Sequence, residues 1–362
     1  MDRQDLFTPV TFRNGVTCPN RLALAPMTNL QSHADGTLSD AELSWLLRRA
    51  RGGYGLTATC AAHVAVEGQG FPGELGIFSD TQLPGLRRLA TALNATGTLS
   101  VVQLFHGGAR APQTLTGRRA FSASELASDP ENPRAATEEE IVATVDAFRA
   151  AALRAHQAGF AGVEIHGAHG YLPCQFLSRT QNQRGDGWGG DLVGRARFLR
   201  EITRAVRAAV PAEFVVGVRL SPEDFGHAKG LDLDETLTVA GWLCDDGVEF
   251  LHASLWQGAR NTQKRPEEHA IPLLRRACAS DVRLIAAGAV WTVADALALR
   301  ERGSDLVALG RAAICNPDWP LLARDESFVP RRPPMAESAL RELAVSETFV
   351  KYLRNFRGLV AD

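Results

Sequence analysis

Gly162-Val163-Glu164-Ile165-His166-Gly167-Ala168-His169-Gly170-Tyr171 is the stretch on which the reading of this chain turns. Val163 and Ile165 mark a short apolar strand that runs straight into glycines. Within the next few residues it presents two imidazoles and a phenol. Three groups that donate or exchange protons, gathered at one strand end, suit a site as readily as a packed core. Which of the two holds depends on the architecture that surrounds the strand.

Outward from this decapeptide, apolar β-prone runs alternate with longer helical stretches, eight times in all. The strands are expected at Arg21–Pro26, Gly55–Val64, Leu99–His106, Gly162–His166, Phe214–Leu220, Val248–Ser254, Val282–Gly288 and Asp305–Gly310. Ser39-Asp40-Ala41-Glu42 and Thr137-Glu138-Glu139-Glu140 fit the capping box that opens a helix, and Asp232 and Thr292 suit N-caps. Ahead of the first strand, Asn14-Gly15 between two β-prone triplets predicts a hairpin with a type I′ turn. Eight βα units describe a (β/α)8 TIM barrel with an N-terminal β-hairpin. A doubly wound sheet over two domains is the alternative. It lacks a linker or composition break, and no Gly-x-Gly-x-x-Gly run leads directly from a strand into a helix.

Two stretches exceed ordinary loop length. Gly107–Ala136, after the third strand, is rich in proline and arginine and is expected to fold over the barrel mouth as a long lid loop or hairpin. Beyond the barrel, residues 1–328, the segment 329–362 begins proline-rich and turns helical. It is expected to pack on the barrel or on a neighbouring subunit of a homodimer, where Arg354 or Arg357 would reach the neighbour's site.

Composition narrows the function classes. A net charge of −2 favours neither nucleic acid nor an anionic membrane, and no apolar run approaches a membrane span. The charged start Met1-Asp2-Arg3-Gln4-Asp5 lacks the apolar core of a secretion signal, so a soluble cytoplasmic protein is expected. The six cysteines, Cys18, Cys60, Cys174, Cys244, Cys278 and Cys315, form no Cys-x-x-Cys pair, which argues against a zinc ribbon, an iron–sulfur cluster or a disulfide framework.

In such a barrel the C-terminal strand ends build the active site, so polar residues there become a candidate set. The third strand contributes Gln103, the fourth His166 with His169 and Tyr171 in its loop, and the fifth Arg219. A guanidinium inside an apolar strand is costly unless an anion or acceptors meet it. Arg219 is therefore either a cofactor ligand or the partner of an interior carboxylate such as Glu164. Gly217, on the same face one step below, leaves lumen space of the kind a flat ring needs. Glycines ending the seventh and eighth strands, Gly288 and Gly310, with Arg311 beside the latter, suit the phosphate site that follows these strands. A phosphate handle beside a glutamine and an arginine fits flavin mononucleotide.

Here the residues resemble the Old Yellow Enzyme family of FMN-dependent ene reductases (NADH:flavin oxidoreductases). The likeness rests on Asn20-Arg21-Leu22-Ala23-Leu24-Ala25-Pro26-Met27-Thr28, Gln103-Leu104-Phe105-His106 and Glu164 to Tyr171. It continues through Phe176-Leu177-Ser178, Asn182 to Gly190 and Arg195-Ala196-Arg197-Phe198-Leu199. It implies that Thr28 hydrogen-bonds the flavin carbonyl next to N5, that Pro26, Met27 and Ala61 contact the ring, and that Gln103 and Arg219 bind its pyrimidine side. Gly288, Gly310 and Arg311 would hold the phosphate. His166 and His169 would grip the substrate's electron-withdrawing oxygen, and Tyr171 would protonate the α-carbon after hydride reaches the β-carbon. NADPH or NADH would supply the hydride, and the substrate would be a small molecule with an electron-poor alkene or nitro group. Leu30 replaces a common aromatic, and with Trp256 it would line the substrate pocket. The motif Gln-Leu-x-His-x-Gly-Arg is one residue longer here, so the resemblance assigns Arg110 no flavin role.

Two other readings of the same residues stand beside this one. A metal-dependent barrel enzyme could use His106, His166, His169 and His252, although no strand-end carboxylate completes an obvious ligand pattern. A flavin-binding protein without turnover would leave Tyr171 and the histidine pair unexplained.

Overall fold

The eight apolar runs form strands because each is buried on both faces, the environment that suits continuous aliphatic sequence in a parallel sheet. A computed structural model describes residues 1–127 and 129–361. The strands are β1 (Leu22–Leu24), β2 (Leu56–His63), β3 (Leu99–Phe105), β4 (Gly162–Gly167), β5 (Val215–Leu220), β6 (Phe250–Ser254), β7 (Arg283–Ala287) and β8 (Leu306–Leu309). All neighbours pair in parallel, and β1 pairs with both β8 and β2, which closes the barrel. Helices α1 (Asp40–Ala50), α2 (Leu83–Asn94), α3 (Glu138–Ala158), α4 (Leu192–Ala209), α5 (Leu233–Asp245), α6 (Ala270–Ala277), α7 (Val293–Glu301) and α8 (Arg311–Cys315) alternate with them. The architecture is a (β/α)8 TIM barrel.

Capping follows the sequence closely. Thr137 and Glu140 form a complete capping box, and Asp232 and Thr292 cap α5 and α7. At α1 only half of the expected box forms. Ser39 accepts from the Glu42 amide, but the Glu42 carboxylate turns inward to Ser32 and Cys60 instead of back to the cap. The N-terminal hairpin pairs Val10–Thr11 with Thr17–Cys18 and plugs the lower end of the barrel, where Phe12 meets Phe250. Its turn differs from the expected type I′. Gly15 donates to the Phe12 carbonyl and Phe12 to the Val16 carbonyl, and among the loop residues only Gly15 has positive φ (+88°). The loop is therefore three residues with a glycine bulge, which spares Asn14 a left-handed backbone.

The insert after β3 carries two short strands, Phe121–Ser122 and Arg134–Ala135. They run parallel, so the insert is not a hairpin. At the other end, α9 (Glu337–Glu342) and α10 (Glu347–Leu353) lie against α1. Phe349 meets Trp45 edge-on at 4.9 Å, and Arg49 donates to the Leu343 carbonyl. Arg354 is engaged by Glu337 of the same segment.

The lumen corrects one expectation directly. A Cβ on Gly217 would lie 2.1 Å from the Phe250 ring. The space that this glycine leaves is filled by a side chain from the next strand, its register partner.

Candidate active site

His166 is the penultimate residue of β4, and Tyr171 is the N-cap of a short helix, Leu172–Leu177, that follows at once. The backbone between them turns sharply, with His169 at φ +61° and Gly170 at φ +74°. A Cβ on Gly170 would sit 2.2 Å from the His227 carbonyl oxygen, so this loop accepts only glycine there. The turn folds the three rings onto one another. His166 and His169 centroids lie 4.9 Å apart, His166 and Tyr171 5.0 Å, and His169 and Tyr171 6.5 Å. Phe105 packs edge-on against Tyr171 at 4.4 Å and joins Ala61 and Phe71 as the apolar wall behind the phenol.

Burial sets the protonation of all three. It holds both imidazoles well below the usual histidine range, helped for His166 by His169 and for both by Arg219. Both rings are therefore neutral at pH 7. The Ala168 amide donates to His166 Nδ1 at 3.3 Å, which leaves that ring's proton on Nε2. His169 Nε2 lies 2.6 Å from Ser254 Oγ, and Arg219 Nη2 donates to the same oxygen at 3.1 Å. Because Ser254 Oγ already accepts from Arg219, its single proton is free for His169. Tyr171 is pushed up to about 12 by burial and stays a neutral phenol.

Beside these groups lies a buried polar network. Glu164 accepts from Gln103 Nε2 and pairs with His252 Nδ1, both at 2.7 Å. Burial alone would raise the Glu164 carboxyl, but His252, Arg219 and Gln103 together hold it below its ordinary value. The carboxylate is thus ionised, and His252, held low by burial, is neutral. Glu164 is the anion that balances Arg219 at a distance, while the direct partner of Arg219 is Ser254. Among the described residues Arg219 Nε and His252 Nε2 are buried without a hydrogen-bond partner, which is costly unless a further molecule meets them.

The remaining candidates are spread around the mouth. Pro26, Met27 and Thr28 follow β1 half-buried, and Tyr352 from α10 lies near Thr28. Around Gly310 there is open space, since a Cβ there would meet only Met27 Sδ at 3.6 Å. Gly288 is closed in by Gly258 and Leu255 and has only its backbone to offer. Arg311 is exposed. Leu30 is half-buried with φ +57°. Trp256, 63% exposed, packs on Phe225 at the rim. The fold thus gathers His166, His169, Tyr171 and Arg219, with Gln103 linked to Glu164, and leaves Trp256 and Arg311 at the surface.

Several residues at the site went unassigned in the sequence. Ser254 carried a usable signal, being a polar residue at a barrel strand end. Tyr352 and Arg110 carried none, because a tail helix and a lengthened turn bring them in. His106, considered with the other histidines, instead accepts from the Gly108 amide and packs on Phe121. Among the described residues no cluster of three His, Cys, Asp or Glu is placed to hold a metal ion.

Residues 5–326 match the model of the NADH:flavin oxidoreductase / NADH oxidase family. The chain is 40% identical over 328 residues to a probable NADH-dependent flavin oxidoreductase, YqiG, of Bacillus subtilis, covering 88% of each. Among solved structures it is similar to morphinone reductase, with 29% identity, 92% of each chain covered and a TM-score of 0.81. It is also similar to the Old Yellow Enzyme homologue of Zymomonas mobilis, with 26% identity, 94% and 99% covered and a TM-score of 0.82.

Proposed function

The chain belongs to the NADH:flavin oxidoreductase / NADH oxidase family, with FMN as cofactor and NADH or NADPH as hydride donor, and from that premise we propose that it is an ene reductase. Its substrates are enones, enals, maleimides or nitroalkenes. The observation that carries this reading is the convergence of two neutral imidazoles and a neutral phenol on one strand-end loop.

The residues suit a flavin by their chemistry. A flavin's pyrimidine side presents carbonyl acceptors and an N–H donor. The unpartnered Arg219 Nε, the Gln103 amide oxygen and the lone pair of His252 Nε2 complement it. Arg219 and Gln103 would hold that side, Pro26, Met27, Thr28 and Ala61 the ring, and Gly310, Gly288 and Arg311 the phosphate. When bound, FMN supplies the hydride for the substrate's β-carbon.

What the protein adds is polarisation and a proton. His166, with its proton on Nε2, and His169, steadied by Ser254, donate to the carbonyl or nitro oxygen of the substrate. They draw charge away from the alkene as it becomes enolate-like. Each neutral imidazole keeps one N–H with which to donate. Tyr171 then passes its phenolic proton to the α-carbon. A phenol this weakly acidic releases a proton only to a strongly basic carbon, which protects the site from idle protonation. Leu30 and Trp256 would shape the entrance.

The test separates the two halves of turnover. Under anaerobic conditions NADH or NADPH should bleach the bound flavin, and 2-cyclohexenone should restore its colour. Tyr171→Phe should bleach normally but recover its colour at least a hundredfold more slowly. Purified protein that takes up no FMN would end the reading. A Tyr171→Phe variant that fails to bleach would remove the phenol's assigned role.

A further inference from the structure

Arg110 takes no part in the reading above, yet it stands against the proton donor. Its Cζ lies 4.3 Å from the centroid of the Tyr171 ring, and its positive charge there favours the ionised phenol. Its Nη1 is anchored by donating to the His169 carbonyl at 3.0 Å. The next arginines along the insert, Arg118 and Arg119, are paired with Glu67 and Glu125. Among the described residues Arg110 has no carboxylate partner, so its charge is left to act on the phenol.

The placement is built into the backbone. Arg110 ends a single tight turn, Gly108–Arg110. Gln175, fully buried, ties this turn to the phenol's loop. Its Oε1 accepts from the Ala109 amide at 3.1 Å, and its Nε2 donates to the Gly170 carbonyl at 2.8 Å. Gly108 has φ +60°, and a Cβ there would lie 2.3 Å from that same Oε1. The turn that carries the cation and the loop that carries the phenol are therefore pinned to each other through one amide side chain.

We propose that Arg110 is a positioning residue for proton delivery, holding the Tyr171 ring and stabilising the phenolate left when its proton moves to the substrate. The proposal rests on the assignment of Tyr171 as proton donor. In that step the phenol O–H bond breaks, and the electron pair of the enolate-like α-carbon takes the proton to form a C–H bond. The phenolate left behind is reprotonated from water. Burial opposes this charge, because a phenolate in a water-poor pocket is poorly solvated. A guanidinium fixed against the ring offsets that cost where the dielectric is low, and its position over the ring face adds a cation–π contribution.

Three variants of the FMN-loaded enzyme test this: Arg110→Met, which keeps a long stem without charge, Arg110→Lys, and Tyr171→Phe. Each is reduced anaerobically with NADPH. It is then reoxidised either by 2-cyclohexenone or by ferricyanide, which takes electrons without needing a proton on carbon. Arg110→Met should slow reoxidation by cyclohexenone at least tenfold, while reduction and ferricyanide reoxidation stay within twofold. Arg110→Lys should recover most of the loss, and Arg110→Met should add nothing in the Tyr171→Phe background. A second readout needs no turnover. The chain has three tyrosines, so [13Cζ]tyrosine labelling gives three resonances, and Tyr171 is the one missing from Tyr171→Phe. In Arg110→Met its ionisation should begin at higher pH than in the parent.

The proposal is overturned if Arg110→Met reoxidises with cyclohexenone within twofold of the parent, or if the ferricyanide step falls equally. It is also overturned if ionisation of Tyr171 does not move. If Tyr171→Phe itself keeps alkene reduction, the proton-donor assignment falls first. If Tyr171→Phe loses it and Arg110→Met does not, only the role of Arg110 falls.

Discussion

Gly217→Ala separates two accounts of the lumen. In one, the glycine clears space for the cofactor; in the structure, it clears space for Phe250. The added Cβ would sit 2.1, 2.3 and 2.4 Å from Cζ, Cε2 and Cε1 of that ring. Carbon atoms are comfortable at roughly 3.5–4.0 Å, so the ring must retreat by more than about 1 Å. Phe250 is fully buried and meets Phe12 of the hairpin plug on another side, which leaves little room for retreat. Overpacking of this kind costs roughly 1–3 kcal/mol. With an unfolding entropy near 2.1 cal/mol/K per residue for a chain of this length, Tm should fall by roughly 1–4 °C. Thermal or urea unfolding measures the loss, and titration with FMN measures occupancy. The expected result is lower stability of the apoprotein with FMN affinity within twofold. Phe250→Leu should recover part of the loss in the double variant, because it removes the ring tip that collides. An alanine variant with unchanged apoprotein stability and much weaker FMN binding would refute this account and return Gly217 to the cofactor.

Other outcomes follow from the site and its surroundings. Ser254→Ala removes the hydroxyl shared by His169 and Arg219; reoxidation by cyclohexenone should slow about tenfold, equivalent to one hydrogen bond of about 1.4 kcal/mol, with flavin bleaching little changed. Equal losses in both half-reactions would show that Ser254 acts through Arg219 and not through His169. Burial holds His63 at about 4 and His106 at about 3, below the value near 6.5 expected when unfolded. Between about pH 4 and 6.5 the unfolded chain therefore binds protons that the folded chain refuses, and stability falls as pH drops through that window. His106→Asn, which keeps an acceptor for the Gly108 amide, should reduce the slope of urea-unfolding free energy against pH by about 1.4 kcal/mol per unit; an unchanged slope would show that His106 titrates normally in the fold.

Much of this protein is written locally. The eight strands, the capping box at Thr137 and the caps at Asp232 and Thr292 depend on residues within a few positions of one another. Hydrophobic period and hydrogen-bond capping are short-range effects, so they can be read along the chain. The cluster of His166, His169 and Tyr171 is legible for the same reason, since six residues and a tight turn bring the rings together. Barrel closure decides the rest. The stagger between strands determines that Phe250 fills the space beside Gly217, that Glu164 meets His252, and that Ser254 joins His169 to Arg219. Those partners lie tens of residues apart, and a shift of one residue in register would exchange lumen for exterior along a whole strand. Likewise the arrival of Arg110 over Tyr171 depends on a buried amide, Gln175, that ties two loops from different strands. No local pattern encodes such meetings, because their energies come from packing and desolvation that exist only once the barrel has closed.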